Sequence, residues 1–183
     1  RALQLLRNGA MAIKQASGGG EAGQRPLQEY DAQLAMCGPR LPVGETQLTM
    51  NFTWNDAFVG NKKSAAQSSV AFERAAVLFN CGAYESQLGA SAERKSDEGL
   101  KLSCKRFQQA AGYFEHVKGS VFPPETHASA SGTPVTPDLS EQGLTMATQL
   151  MLAQAQACYY EMAVRKRNSS GGGGGAMSPS LLA

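Results

Sequence analysis

Between residues 97 and 118, apolar side chains recur at Leu100, Cys104, Phe107, Ala111 and Phe114, at intervals of four, three, four and three. That period gathers them into one stripe along a helix, turned toward a packing partner. Upstream, residues 65–92 hold Val70, Ala71, Val77, Leu78 and Leu88 without a proline and predict a second long helix. Gly82 and Gly89 within it are either weak spots or places where a neighbouring helix comes close. A polar turn around Glu93–Ser96 separates the two helices. Pro123, Pro124, Pro134 and Pro137, set among Ser, Thr and Gly, make 119–137 a loop. Beyond it, Asp138 with Glu141 three residues on predicts a capped start for another helix. That helix is rich in Ala, Met, Leu and Gln and runs to about Arg167.

The N-terminal third is less regular. Residues 1–16 carry Leu3, Leu6, Met11 and Ile13 in a helix-compatible setting, broken by Ser17-Gly18-Gly19-Gly20. A short helix follows Pro26, with Leu27, Tyr30 and Leu34 at spacings of three and four, and ends near Gly38-Pro39. From Gln47 to Trp54 polar and apolar residues alternate, the one convincing strand signal in the chain. At the other end, Ser169, Ser170 and then Gly171 to Gly175 predict a flexible tail over 169–183. Long helices joined by a short turn, with one more after a loop, imply antiparallel packing in a mostly α helical array.

Charge and composition narrow the functional classes. Lys and Arg total 17 against 15 Asp and Glu, a net charge of +2, and no basic stripe marks a nucleic-acid partner. The cluster Arg165-Lys166-Arg167 suits the last turn of a helix, where cations meet the negative dipole end. No run of about 18 apolar residues predicts a transmembrane segment. Cys37, Cys81, Cys104 and Cys158 lie far apart without a CxxC pair, so neither zinc nor a disulfide framework is expected. The last three fall in helical stretches and read as small buried hydrophobes, which fits a reducing compartment. The chain begins at Arg1 rather than Met, which suggests a missing start.

Catalytic chemistry finds little to use. His116 and His127 are the histidines. Cys104 and His116 are twelve residues apart on one helix, roughly 18 Å, which excludes direct activation of the thiol within that helix. Gly60-Asn61-Lys62-Lys63-Ser64 lacks the earlier glycine and the Gly-Lys-Ser order of a phosphate loop, and reads as a solvated loop. Asp97 and Glu98 are adjacent carboxylates, favourably placed at the positive end of a helix dipole. No catalytic, cofactor-binding or metal-ligating set emerges.

Three blocks in order resemble the BRO-domain family, ALIX-like and ESCRT-associated. The first is Phe52-Thr53-Trp54-Asn55-Asp56-Ala57-Phe58. The second opens at Glu73 to Ala83, continues through Ser86-Gln87-Leu88 and Asp97 to Lys101, and closes at Phe107 to Gly112. The third is Leu150-Met151-Leu152-Ala153-Gln154-Ala155-Gln156. Their order and spacing match best over 47–165, with fainter similarity back to Leu3, so 1–168 is expected to be a partial BRO domain. In the family the last of these helices continues, whereas here Asn168–Ala183 replaces it.

The resemblance implies tetratricopeptide-like antiparallel helix pairs with a short strand or hairpin near the N-terminus. It implies a non-enzymatic adaptor of endosomal, multivesicular-body sorting, cytoplasmic and recruited to endosomes through its partners. A concave groove would hold the C-terminal amphipathic helix of an ESCRT-III subunit. Asp97 and Lys101 match family positions bordering that groove, and Tyr159 matches an aromatic position in its wall, with Tyr160 the adjacent alternative. Other members of the family suggest a rhophilin-like Rho-signalling scaffold or an accessory domain of a larger phosphatase.

Overall fold

The computed structural model describes residues 24–40, 50–122 and 135–169. Helix α1 (Arg25–Cys37) opens on Pro26, as expected of a residue with no N–H to leave unpaired, and ends in a single 3₁₀ turn, Gly38–Arg40. Leu27, Tyr30 and Leu34 are the buried residues of this helix, and they pack on Val77 and Cys81 of α2 (Val70–Ser91). Two polar links align the pair. The Tyr30 hydroxyl donates to Glu73 Oε1 at 3.0 Å. Arg74 donates to both oxygens of Asp31, at 2.8 and 3.3 Å.

Helix α2 starts where the Ser69 hydroxyl accepts the Phe72 N–H, and α3 (Asp97–His116) starts where Ser96 accepts the Gly99 N–H. Each hydroxyl satisfies a first-turn donor that has no partner within the helix. The short connection folds α3 back along α2. Leu100, Cys104, Phe107, Ala111 and Phe114 are all buried, as their spacing requires. Gly82 and Gly89 are close-approach sites: a Cβ on Gly82 would stand 2.8 Å from Phe114 Cε1, and one on Gly89 would stand 3.0 Å from Phe107 Cε1. After α3 the chain makes one wider π turn, Val117–Val121, closed by the Phe122 N–H on the Val117 carbonyl at 2.9 Å. Val117, Val121 and Phe122 return to the core, where Phe122 meets Phe72 edge-on at 5.8 Å. The second half of the loop ends in a 3₁₀ turn, Pro137–Leu139. Helix α4 (Glu141–Ser169) then runs antiparallel to α3 and buries Leu144, Ala147, Met151, Ala155 and Cys158.

The strand signal corresponds to β1 (Phe52–Asp56), which pairs with a second strand, β2 (Gly60–Gln67), in the antiparallel hairpin that the resemblance implied, from Phe52↔Gln67 to Asp56↔Gly60. Three expectations need correction. Residues 60–64, read as a solvated loop, therefore belong to a strand, and the helix expected from Ala65 begins only at Val70. The segment Gly60–Gln67 lacks both β-branched residues and alternation, so pairing with β1 makes the strand rather than local preference. Asp138 does not cap α4. Its carboxylate turns back to the hairpin, and Ser140 caps instead by accepting the Gly143 N–H at 3.1 Å.

The four cysteines are free, with Cys81, Cys104 and Cys158 buried and Cys37 exposed. The expectations for 1–16, for 47–49, for His127 and for the tail beyond Ser169 lie outside the described residues.

Candidate functional site

The first turn of α3 and the last turns of α4 face each other because the two helices are antiparallel. Between them lies an open cleft of about 1000 Å³. Asp97 and Lys101, one helical turn apart on α3, form one wall together with Lys95 from the preceding turn. Tyr159, Met162, Ala163 and Lys166 on α4 form the other, at spacings of three, one and three that place them on one helix face. The three residues singled out by sequence are thus brought together. Tyr159 keeps 54% of its surface exposed, while Met162 and Ala163 are half-buried below it. Tyr160, the adjacent alternative, is not among the cleft residues; it is 58% exposed on another side of α4.

The cleft has an apolar floor and a charged rim. Lys95, Lys101, Arg165 and Lys166 supply four cations against the single carboxylate of Asp97. That carboxylate lies 4.0 Å from the Arg165 guanidinium across the helix pair. Arg165 also donates to the Arg94 carbonyl, and Arg94 pairs with Glu161. These links tie the 93–96 turn to α4 and set the width of the mouth. Deeper in, Ser103 accepts from the Cys158 thiol at 3.5 Å and donates to the Gly89 carbonyl at 2.8 Å. Burial pushes the Cys104 thiol above its ordinary range, and a hydrogen bond with the Tyr159 hydroxyl only partly opposes that. A thiol held protonated is a poor nucleophile, so this pair reads as a packing and orienting contact.

Lys95, Met162, Ala163, Arg165 and Lys166 were not picked out by sequence. The signal was available in the helical spacing from Tyr159, and Arg165-Lys166-Arg167 was read only as a favourable helix end. That reading holds for the last turn, which carries Lys166 and Arg167, but Arg165 and Lys166 also line the cleft. Among the described residues, no group of three His, Cys, Asp or Glu is placed to hold a metal ion, and no helix is long and apolar enough to cross a membrane.

Comparison with known proteins agrees with the fold. The model of the BRO1-like domain matches residues 1–173. Human programmed cell death 6-interacting protein is 36% identical over 152 residues, which is 80% of this chain and 17% of that protein. A crystal structure of ALIX in complex with the SIVmac239 late domain superposes with a TM-score of 0.75 at 33% identity, over 91% of this chain and 23% of that one. The ALIX BRO1–CHMP4C complex gives 0.67 at 29% identity, over 91% and 48%. The chain therefore spans less than half of each of these proteins. With its helix pairs, N-terminal hairpin and matched blocks, the chain belongs to the BRO1-like domain family.

Proposed function

We propose that this chain is a non-enzymatic adaptor of endosomal sorting whose α3–α4 cleft receives the C-terminal amphipathic helix of an ESCRT-III subunit. The observation that carries the reading is the make-up of the cleft. Tyr159, Met162 and Ala163 offer an apolar floor, rimmed by Lys95, Lys101, Arg165 and Lys166. A helix laid into it would bury anchors at i, i+3, i+4 and i+7 on the floor and place acidic side chains against the rim. A related domain solved with CHMP4C supports a partner of that class. On this reading the protein is cytoplasmic and reaches endosomes through its partners.

Calorimetric titration with an ESCRT-III C-terminal helix peptide tests the proposal, preceded by a melting measurement on the same sample. Micromolar binding is expected, corresponding to about −8 kcal/mol. Replacing Tyr159 by Ala should cost about 1–3 kcal/mol of it, because an exposed aromatic that the docked helix would take out of water is a typical hot spot. Absence of binding by the folded chain would overturn the reading. Unchanged affinity in a folded Tyr159→Ala variant would remove Tyr159 from the site.

A further inference from the structure

A closed set of links joins the turn between α2 and α3 to the last turns of α4. Arg165 donates from Nη2 to the Arg94 carbonyl, and the Arg94 side chain pairs with Glu161, one turn before Arg165 on α4. Nη1 of the same guanidinium lies 4.0 Å from Asp97 Oδ1, beyond hydrogen-bond reach. Arg165 is therefore anchored by a neutral carbonyl, while its charge is only loosely balanced by Asp97. Among the described residues the rest of its fork has no hydrogen-bond acceptor.

The other cations of the cleft are built differently. Lys95, Lys101 and Lys166 are exposed, whereas the Arg165 side chain keeps only 35% of its surface in water. An ammonium on a flexible stem follows any nearby charge, but a guanidinium tied by one bond presents its remaining donors as a planar fork in a fixed place. Such a fork matches the two oxygens of a carboxylate. Arg165 also stands three residues beyond Met162 and six beyond Tyr159, which puts it roughly 9 Å along α4 from the exposed aromatic of the cleft.

We infer, on the reading of the α3–α4 cleft as a helix-binding site, that Arg165 selects the partner: its guanidinium receives one particular carboxylate of the bound helix. At about 1.5 Å per residue, an anchor over Tyr159 and a side chain over Arg165 are roughly six residues apart on a helix laid along α4. The partner therefore carries Asp or Glu nearly two turns from the anchor that covers Tyr159. The exposed lysines govern how fast an acidic helix arrives, and Arg165 governs which helix stays. Because the Arg94 carbonyl already holds the guanidinium, little side-chain freedom is lost when the carboxylate binds. Lysine in its place would keep the charge and lose the fork.

Calorimetric titration of the full chain with the ESCRT-III helix peptide provides the test, using a set of peptides in which each Asp becomes Asn and each Glu becomes Gln in turn. One replacement should weaken binding to the native chain about tenfold, and the others much less. Arg165→Gln and Arg165→Lys chains should bind the unaltered peptide about tenfold more weakly and no longer distinguish it from that one replacement. Lys101→Gln should leave the distinction in place. The peptide series on the native chain decides the matter even if Arg165→Gln, which also frees the 93–96 turn, unfolds. Equal cost of every replacement on the native chain, or full affinity in folded Arg165→Gln, would overturn the proposal and leave the cleft a helix-binding site. Absence of binding by the folded native chain would overturn both.

Discussion

The indole Nε1 of Trp54 donates to Asp138 Oδ2 across 2.8 Å, joining β1 to the turn that launches α4 over 84 positions of sequence. The same oxygen accepts the Ala57 N–H at 2.7 Å, and Oδ1 accepts the Leu139 N–H at 2.9 Å. Asp138 is fully buried, so both oxygens must be satisfied within the protein. Asparagine in its place would turn one acceptor into a donor facing N–H groups. Asp138→Asn is expected to lower stability by about 2–4 kcal/mol, read from the midpoint of urea unfolding. A loss below about 0.5 kcal/mol would mean that the hairpin is held chiefly by its apolar contacts, Trp54 on Phe79 at 5.6 Å among them.

Asp56 gives the same region a pH dependence. Its Oδ1 accepts the N–H groups of Phe58 and Val59, both at 2.8 Å, and Oδ2 accepts that of Asp138 at 3.3 Å. Burial raises its pKa, but these bonds to the charged form outweigh burial and hold it below the ordinary value of 3.8. A group whose pKa is lower when folded contributes stability above its unfolded value and loses it as pH falls through the folded one. Unfolding free energy should therefore drop as pH falls below about 4, and Asp56→Asn should flatten that part of the profile. Urea titrations between about pH 2.5 and 6 provide the test, with an identical slope in the variant as the contrary result.

Gly82 and Gly112 make opposite predictions on neighbouring helices. Alanine at Gly82 sets a methyl group 2.8 Å from a buried Phe114 ring that already packs on Phe79 at 5.1 Å. Gly82→Ala should cost about 1–3 kcal/mol despite its better helix propensity. Gly112 is exposed, and nothing lies within 4 Å of a Cβ there. Gly112→Ala should stabilise by about 0.5–1 kcal/mol. Thermal unfolding of the two variants side by side separates packing from propensity, and two shifts of the same sign would refute the assignment.

Legibility in the sequence followed the range of the forces involved. The α3 stripe and the glycines of α2 were readable because period and packing agree along one helix. The second strand was not, because Gly60–Gln67 has no pattern of its own and borrows its conformation from β1. Asp138 followed by Glu141 resembles a capping box, yet the carboxylate found a partner 84 residues away and Ser140 took the cap. At the cleft, Asp97, Lys101 and Tyr159 came from family resemblance, and no intrahelical pattern could have joined α3 to α4. Once Tyr159 is placed, however, Met162, Ala163 and Lys166 follow from helix geometry alone.

The rim of the cleft tests the mode of binding rather than its strength. Lys101 is exposed, and its charge stands with Lys95, Arg165 and Lys166 around a mouth opening to solvent. Charges so placed act on the approach of a partner and are screened beyond about 10 Å at 0.1 M salt. Lys101→Glu should therefore slow association with an acidic amphipathic helix several-fold at low salt, with little change in dissociation rate. Raising salt to about 0.5 M should bring native and variant rates together. Stopped-flow association at two ionic strengths decides the point. A salt-independent loss, or one confined to dissociation, would place Lys101 in direct buried contact with the ligand instead of on its rim.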